Sequence, residues 1–255
     1  MLGAIIGDIV GSRFEFNNAR TADFELFTQD SVYTDDTICT CAVADAAMNG
    51  WSYQDALRDW CGRYPHPKGG YGSMFAAWLN SDKPRPYYSF GNGAAMRVSS
   101  IGWIYNSVLE VSEAAKESAL CTHDHPDGIR GAQATAVAVF MLRLSSSKDK
   151  FRSFMESVYG TIPAYLPHSV SFQEDCTSTV IAASSAFLAS QNFEDAIRKA
   201  VCIGGDSDTI GAVCGAFAEA YYGIPRGIAQ QAKGRLELDM LEVISQFNLQ
   251  VGREI

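Results

Sequence analysis

The stretch that decides the fold class is TDDTICTCAVADAAM, which covers residues 34–48. Short polar residues at its start are typical of a helix N-terminus, and the alanine-rich continuation favours a helix that packs closely against its neighbours. Convincing strand alternation is scarce elsewhere in the chain, and the βαβ rhythm of a doubly wound sheet is missing. The sequence therefore predicts a compact all-α domain built from many medium-length helices.

Helical patterns recur along the whole chain, separated by loops rich in proline and glycine. We predict helices over residues 2–11, 35–48, 53–63, 72–80, 94–106, 112–121, 126–144, 148–159, 174–190, 193–203, 208–222 and 225–234. Residues 235–253 fit either a short helix or a strand. Because 47% of the residues are hydrophobic and only 19% are charged, we predict one domain with a single large core, spanning residues 1–255.

The net charge and the cysteines indicate which partners and which cellular compartment to expect. The net charge is −9, and no basic stretch could follow a nucleic-acid backbone, so we expect no nucleic-acid partner. The first residues, MLGAIIGDIVG, lack a basic start and contain Asp8, which argues against a signal peptide or a membrane span. Seven cysteines without a CxxC pair indicate reduced thiols. We therefore expect a cytoplasmic monomer with no membrane partner.

A second acidic cluster, GGDSDT at residues 204–209, repeats the arrangement of residues 34–37. Either cluster alone is typical of an ordinary helix cap, but two adjacent or nearly adjacent acids beside a threonine, occurring twice, exceed what a cap needs. Four carboxylates brought together would repel one another unless cations lay between them, and hard oxygen ligands suit Mg²⁺, Mn²⁺ or Ca²⁺. If the two helix N-termini face each other, they form an oxygen-rich cage for two cations.

Three further segments are candidates for chemistry. Glu15 alone would be a surface carboxylate or a partner for Arg13, but beside the acidic clusters it becomes a candidate general base or metal-site gate. The loop at residues 89–93 runs into a helix and could cradle a phosphate, although an ordinary Asn-Gly turn also fits. The segment THDHPD at 122–127 could cap the following helix, and His123 could contact a sugar or a phosphate; a zinc site would need further soft ligands.

Together these motifs resemble the ADP-ribosylglycohydrolase family. The resemblance is carried in order by GAIIGDIVGSRFE, YTDDT, GNGAAMRVSSIGW, THDHPDGIRGA and GGDSDTIGAVCGAFAEAYYG, between residues 3 and 223. It implies an all-α orthogonal multi-helix bundle with a binuclear Mg²⁺ or Mn²⁺ centre in a cleft. It also implies a hydrolase that cleaves the N- or O-glycosidic bond between ADP-ribose and an acceptor, foremost arginine on a modified protein.

The resemblance assigns a role to each candidate residue. The implied metal ligands are Thr34, Asp35, Asp36, Asp206, Asp208 and Thr209. The implied catalytic groups are Glu15, Asp35 and Asp36, and the implied contacts to the diphosphate and distal ribose are Ser89, Phe90, Gly91, Asn92, Gly93 and His123. The implied mechanism is attack of a metal-activated water on an oxocarbenium-like anomeric carbon, in an ADP-ribosylated protein or a small ADP-ribosyl substrate.

Two alternatives stay open on the sequence. The carboxylates alone would also permit a two-metal phosphohydrolase acting on a nucleotide. A non-catalytic ADP-ribose-binding module would share the same motifs. The loops at 64–71, 81–88 and 160–173 are candidates for selecting the acceptor.

Overall fold

The computed structural model describes residues 1–144 and 147–253. The helices are α1 (Leu2–Gly11), α2 (Asp35–Asn49), α3 (Tyr53–Arg63), α4 (Ser73–Leu79), α5 (Gly93–Met96), α6 (Ile101–Ile104), α7 (Val108–Leu120), α8 (Pro126–Arg143), α9 (Lys148–Tyr159), α10 (Cys176–Ala189), α11 (Phe193–Cys202), α12 (Ser207–Tyr222), α13 (Arg226–Lys233) and α14 (Leu238–Gln250). Within the described residues, β-pairing is limited to three isolated bridges. The predicted all-α class is confirmed. Of the predicted single domain, residues 145, 146, 254 and 255 lie outside the description.

Most predicted helices match the structure closely, but the one predicted over 94–106 is wrong. The chain instead forms α5 and α6, with residues 97–100 between them. Arg97 turns its side chain into the interior, where only 1% of the residue is exposed. Ser99 and Ser100 follow, and serine favours turns over helix interiors. The ambiguous segment at 235–253 contains α14.

Helices α1 and α12 pack backbone against backbone at the centre of the fold. A Cβ atom on Gly7 would lie 1.9 Å from the carbonyl oxygen of Gly211, and one on Gly215 would lie 2.0 Å from that of Gly3. All ten residues of α1 are buried. A Cβ atom on Gly11 would lie 2.5 Å from the Cα atom of Asp208. The glycines thus bring the C-terminal end of α1 against the first turn of α12, where the second acidic cluster lies.

The hydrophobic core surrounds this helix pair and includes fully buried aromatic side chains. Phe151, Phe187 and Phe217 form a cluster with ring centroids 4.8 to 6.0 Å apart. Such a cluster fixes α9, α10 and α12 relative to one another, because each ring buries a large apolar area. None of the described helices is both long and apolar enough to cross a membrane.

Candidate active site

The N-terminal ends of α2, α5 and α12 converge on one cleft of about 270 Å³. Most residues singled out in the sequence line it: Glu15, Asp35, Asp36, Ser89, Gly91, Asn92, Gly93, His123, Asp206, Asp208 and Thr209. Thr34 and Phe90 do not line it. Thr34 lies behind the cleft wall as the N-cap of α2, and Phe90 is 55% exposed and contacts His125 edge-on.

The two acidic clusters meet at the cleft floor. Carboxylate oxygens of Glu15, Asp206 and Asp208 lie within 4.8 Å of one another. The Thr209 hydroxyl donates a hydrogen bond of 3.4 Å to Asp36 Oδ1, which links the second cluster to the first. The other oxygen, Asp36 Oδ2, is buried and has no hydrogen-bond partner in the described part of the chain. A buried carboxylate oxygen that no protein group satisfies fits a cation ligand.

The electrostatics of the cluster also fit a cation site. Burial raises the pKa of Asp36 well above its usual value, and the charges of Asp8 and Asp35 add to the shift. The pKa of Asp208 is raised in the same way, first by burial and then by Asp206. Burial, together with the charge of Asp206, raises the pKa of Glu15 to about 7. These acids therefore resist ionisation in the protein alone, and a divalent cation would offset both burial and repulsion.

Asp8 holds the first turn of α2 in place through hydrogen bonds, a role that the sequence did not predict. This fully buried carboxylate accepts hydrogen bonds from the backbone N–H and the hydroxyl of both Thr34 and Thr37. Thr34 Oγ1 donates to Asp8 at 2.8 Å and accepts from the N–H of Asp36 at 3.2 Å. Asp8 thereby fixes the first turn of α2 to α1. The signal in the sequence was an acid inside an otherwise apolar helix, which needs buried donors around it.

The glycine loop at residues 89–93 is fastened to the second acidic cluster. Asn92 Nδ2 donates to Asp206 Oδ2 at 2.7 Å and to Thr179 Oγ1 at 3.1 Å. The backbone at 168–175 runs past both elements, with isolated bridges from Val170 to Gly204 and from Asp175 to Gly91. We call residues 168–175 the strap. It places the glycine loop and the acidic cluster side by side along one wall of the cleft.

The comparison with known proteins assigns the chain to a family. The profile of the ADP-ribosylglycohydrolase family matches residues 1–252. The chain belongs to the ADP-ribosylglycohydrolase family. The resemblance seen in the motifs is thus confirmed, as is the prediction that the chain is an enzyme of the hydrolase class.

Individual relatives agree with the family assignment. ADP-ribosylhydrolase ARH3 of Mus musculus is 27% identical, over 94% of this chain and 88% of its own length. The Homo sapiens protein of the same name is also 27% identical, over 94% of this chain and 90% of its own. A solved structure titled "ADP-ribosylglycohydrolase-related protein complex" superposes with a TM-score of 0.75 at 22% identity, covering 100% of this chain and 96% of that one. Because the identity is only 22%, this superposition shows a shared fold and nothing more.

The rim of this ADP-ribosylglycohydrolase cleft carries residues that the sequence reasoning did not single out. Phe16 is 76% exposed, lines the cleft beside Glu15, and its ring centroid lies 6.0 Å from that of Phe172 on the strap. Glu174, also on the strap, lines the cleft. Neither aromatic residue belongs to a motif, and only the path of the strap brings them together.

Proposed function

We propose that this chain hydrolyses the glycosidic bond between ADP-ribose and an acceptor and does so with two bound cations, Mg²⁺ or Mn²⁺. The observation that carries the proposal is the convergence of Glu15, Asp206 and Asp208 oxygens within 4.8 Å, in a cleft that Asp36, with its unsatisfied Oδ2, also lines. The cleft residues that would hold the cations are Asp35, Asp36, Asp206, Asp208 and Thr209. The hydroxyl of Thr34, the sixth predicted ligand, instead donates to Asp8 behind the cleft wall. When bound, the cations would lower the pKa of a water molecule and offset the charge of the carboxylates.

The protein groups have distinct tasks in the proposed reaction. Asp35 and Asp36 lie at the α2 N-terminus and would stabilise the positive charge that develops on the anomeric carbon as the bond to the acceptor breaks. Glu15, with its pKa raised to about 7, would accept a proton from the attacking water near neutral pH, and that proton would pass to the departing acceptor. Asp8 would hold Thr34 and the first turn of α2 in place.

The glycine loop and His123 would bind the nucleotide part of the substrate. The N–H groups of a loop that runs into a helix can point at phosphate oxygens, and the absence of side chains lets the ligand approach the backbone. Asn92 bonds Asp206, so the loop position is coupled to the acidic cluster. ADP-ribose bound there would extend its distal ribose toward the carboxylates.

We infer that the acceptor is arginine on a modified protein. The support is the chemistry of the rim, where the exposed rings of Phe16 and Phe172 face each other and Glu15 and Glu174 line the cleft. A guanidinium stacks on aromatic faces and pairs with carboxylates, so this rim suits it better than a neutral hydroxyl side chain. A small ADP-ribosyl compound with a cationic leaving group would satisfy the same requirement.

Product analysis tests the proposal directly. Arginine-linked and serine-linked ADP-ribosylated peptides would be incubated with the enzyme in Mg²⁺ or in EDTA, and released ADP-ribose would be measured. We expect metal-dependent release, faster from the arginine-linked peptide, and loss of release in Asp36→Asn and Asp208→Asn. Asp59→Asn is the matched control, since Asp59 pairs with Arg63 on the surface of α3. Turnover at the wild-type rate by both site variants would refute the metal assignment.

The same experiment separates the alternatives left open by the sequence. AMP together with a ribose phosphate would identify a phosphohydrolase. Binding of ADP-ribose without release from any linkage would identify a non-catalytic module. Preferential release from the serine-linked peptide would keep the glycohydrolase and overturn the arginine assignment.

The proposed setting of the enzyme is the cytoplasm. All seven cysteines are free thiols, and Cys39 and Cys61, whose sulfur atoms lie 4.0 Å apart, share a hydrogen bond and no disulfide. A reducing compartment keeps such thiols reduced. Imaging of the tagged protein in its own cell tests the compartment, and sedimentation equilibrium tests the predicted monomer.

A further inference from the structure

A buried arginine lies at the floor of the cleft and takes no part in the proposed chemistry. Arg97 lines the cleft but is only 1% exposed. Its Nη2 donates hydrogen bonds to the Ser118 carbonyl oxygen at 2.8 Å and to Thr122 Oγ1 at 2.9 Å. No carboxylate of the described chain lies within ion-pair distance of it. Burial of a charged guanidinium without a carboxylate partner costs free energy, so a functional role would explain why Arg97 is buried here.

The Thr122 hydroxyl accepts a hydrogen bond from Arg97 and donates one to His123. Arginine can only donate, so Thr122 Oγ1 accepts from Arg97 and has a single proton to give. Three acceptors lie near: His123 Nδ1 at 2.7 Å, the Ala119 carbonyl oxygen at 3.5 Å, and the Cys121 sulfur, which is only a weak acceptor. That carbonyl already accepts the backbone N–H of Thr122 at 3.0 Å and that of His123 at 2.7 Å, which occupies both of its lone pairs. The hydroxyl proton therefore goes to Nδ1.

This direction fixes the state of the His123 ring. Since Nδ1 accepts, the neutral ring carries its proton on Nε2. Nε2 has no hydrogen-bond partner among the described residues, and it faces the glycine loop. Cβ atoms built on Gly91 and Gly93 would lie 3.5 and 3.3 Å from it. An unpaired N–H donor thus points into the part of the cleft that glycines keep open.

We propose that Arg97 and Thr122 are positioning residues that hold His123 as a neutral Nε2–H donor for an anionic oxygen of the substrate, in the diphosphate group. The identity of the ligand rests on the proposed function, whereas the ring state rests on the hydrogen bonds alone. His123 then serves recognition and does not exchange protons with the substrate.

The chain of donors explains why the arginine is buried. Each group from Arg97 through Thr122 to His123 donates toward the cleft, and hydrogen bonds in such a chain polarise one another. The last donor, Nε2–H of His123, needs a hydrogen-bond acceptor from the ligand. A phosphate oxygen can only accept, so it fits this position. Burial lowers the pKa of His123 well below its usual 6.5, and the charge of Arg97 lowers it further. The ring thus stays neutral beside a cation.

Nitrogen NMR of the wild-type enzyme tests the ring state without any ligand. The protein has four histidines, so ¹⁵N-histidine labelling gives four ring systems, and the spectrum of His123→Asn assigns one of them. We expect a protonated Nε2 and an unprotonated Nδ1 that do not change between about pH 5.5 and about pH 8. An Nδ1–H tautomer, or titration near the usual histidine pKa, would overturn the inference.

Variants of Thr122 test the consequence for binding, with ADP-ribose in Mg²⁺ as the probe. Thr122→Val removes the hydroxyl, and we expect a mixture of tautomers and about tenfold weaker binding, as for the loss of one hydrogen bond to a charged group. Thr122→Ser keeps the hydroxyl and should restore both. Thermal unfolding of each variant shows whether the fold is retained. Equal affinity of the valine and serine variants would refute the positioning role.

The two proposals fail in different ways. A wild-type enzyme that binds no ADP-ribose would refute the proposed function and with it the choice of ligand. A wrong tautomer in an enzyme that binds and hydrolyses its substrate would refute the present inference alone.

Discussion

Replacement of Gly7 by alanine tests whether the backbone contact between α1 and α12 sets the geometry of the site. The added Cβ atom would lie 1.9 Å from the Gly211 carbonyl oxygen, 2.1 Å from its carbonyl carbon and 2.6 Å from the Ala212 nitrogen. All three are backbone atoms, so no side chain can rotate away. Real Cβ atoms essentially never come within 3.0 Å of such an atom, so the two helices would have to separate by about 1.1 Å.

The separation has a structural and a catalytic cost. Overpacking of a tight core costs about 1 to 3 kcal/mol, and a contact between two rigid helices lies at the upper end. Alanine gains back up to about 1 kcal/mol of helix propensity. We therefore expect the free energy of unfolding to fall by about 2 kcal/mol or more. Because Asp208 moves with α12 away from Asp36, and a displacement of about 1 Å can cost about a hundredfold in rate, activity should fall by a similar factor.

Urea unfolding and ADP-ribose release measure the two effects. The matched control is Gly62→Ala, since Gly62 lies in α3, is exposed, and has no atom within 4 Å of an added Cβ. The free energy of unfolding of Gly62→Ala should equal that of the wild type or exceed it by about 0.5 to 1 kcal/mol, and this variant should be fully active. If Gly7→Ala unfolds at the wild-type urea concentration and keeps its activity, the argument that the glycines set the position of the acidic cluster is wrong.

Three further changes probe the acids of the site. Asp8→Ala leaves the buried donors of Thr34 and Thr37 without an acceptor, so urea unfolding should show a loss of about 3 kcal/mol or more, and calorimetry should show weaker Mg²⁺ binding; unchanged values in both would refute its supporting role. Addition of Mg²⁺ should raise the melting temperature of the wild type because the cation offsets repulsion, and Asp36→Asn should abolish the increase; an equal increase in the variant would place the cation elsewhere. Because the folded pKa of Glu15 is raised to about 7, its ionised form destabilises the fold, so the protein in EDTA should lose stability from about pH 4.5 to about pH 7. Glu15→Gln should reduce that loss, and an identical pH profile would show that this carboxylate does not titrate in that range.

Parts of the fold could be predicted because they rest on local patterns. The helices over 53–63 and 148–159 match the structure residue for residue, since each has a serine cap and a regular apolar face. The helix predicted over 94–106 could not be corrected from the sequence. Its interruption depends on Arg97 reaching Thr122, and a buried arginine with a distant partner leaves no periodic signal.

The sequence by itself determined the helical class and the inventory of acids, because capping, helix propensity and the choice of ligand type depend on residues close together in the chain. Only the tertiary structure decided how these acids meet. The glycine contacts of α1 with α12 bring Glu15 to Asp208, Asp8 holds Thr34 behind the cleft wall, and the strap carries Phe172 to Phe16. Each of these contacts joins residues far apart in the chain, and such contacts depend on how closely two backbones can approach, which no single segment of sequence specifies.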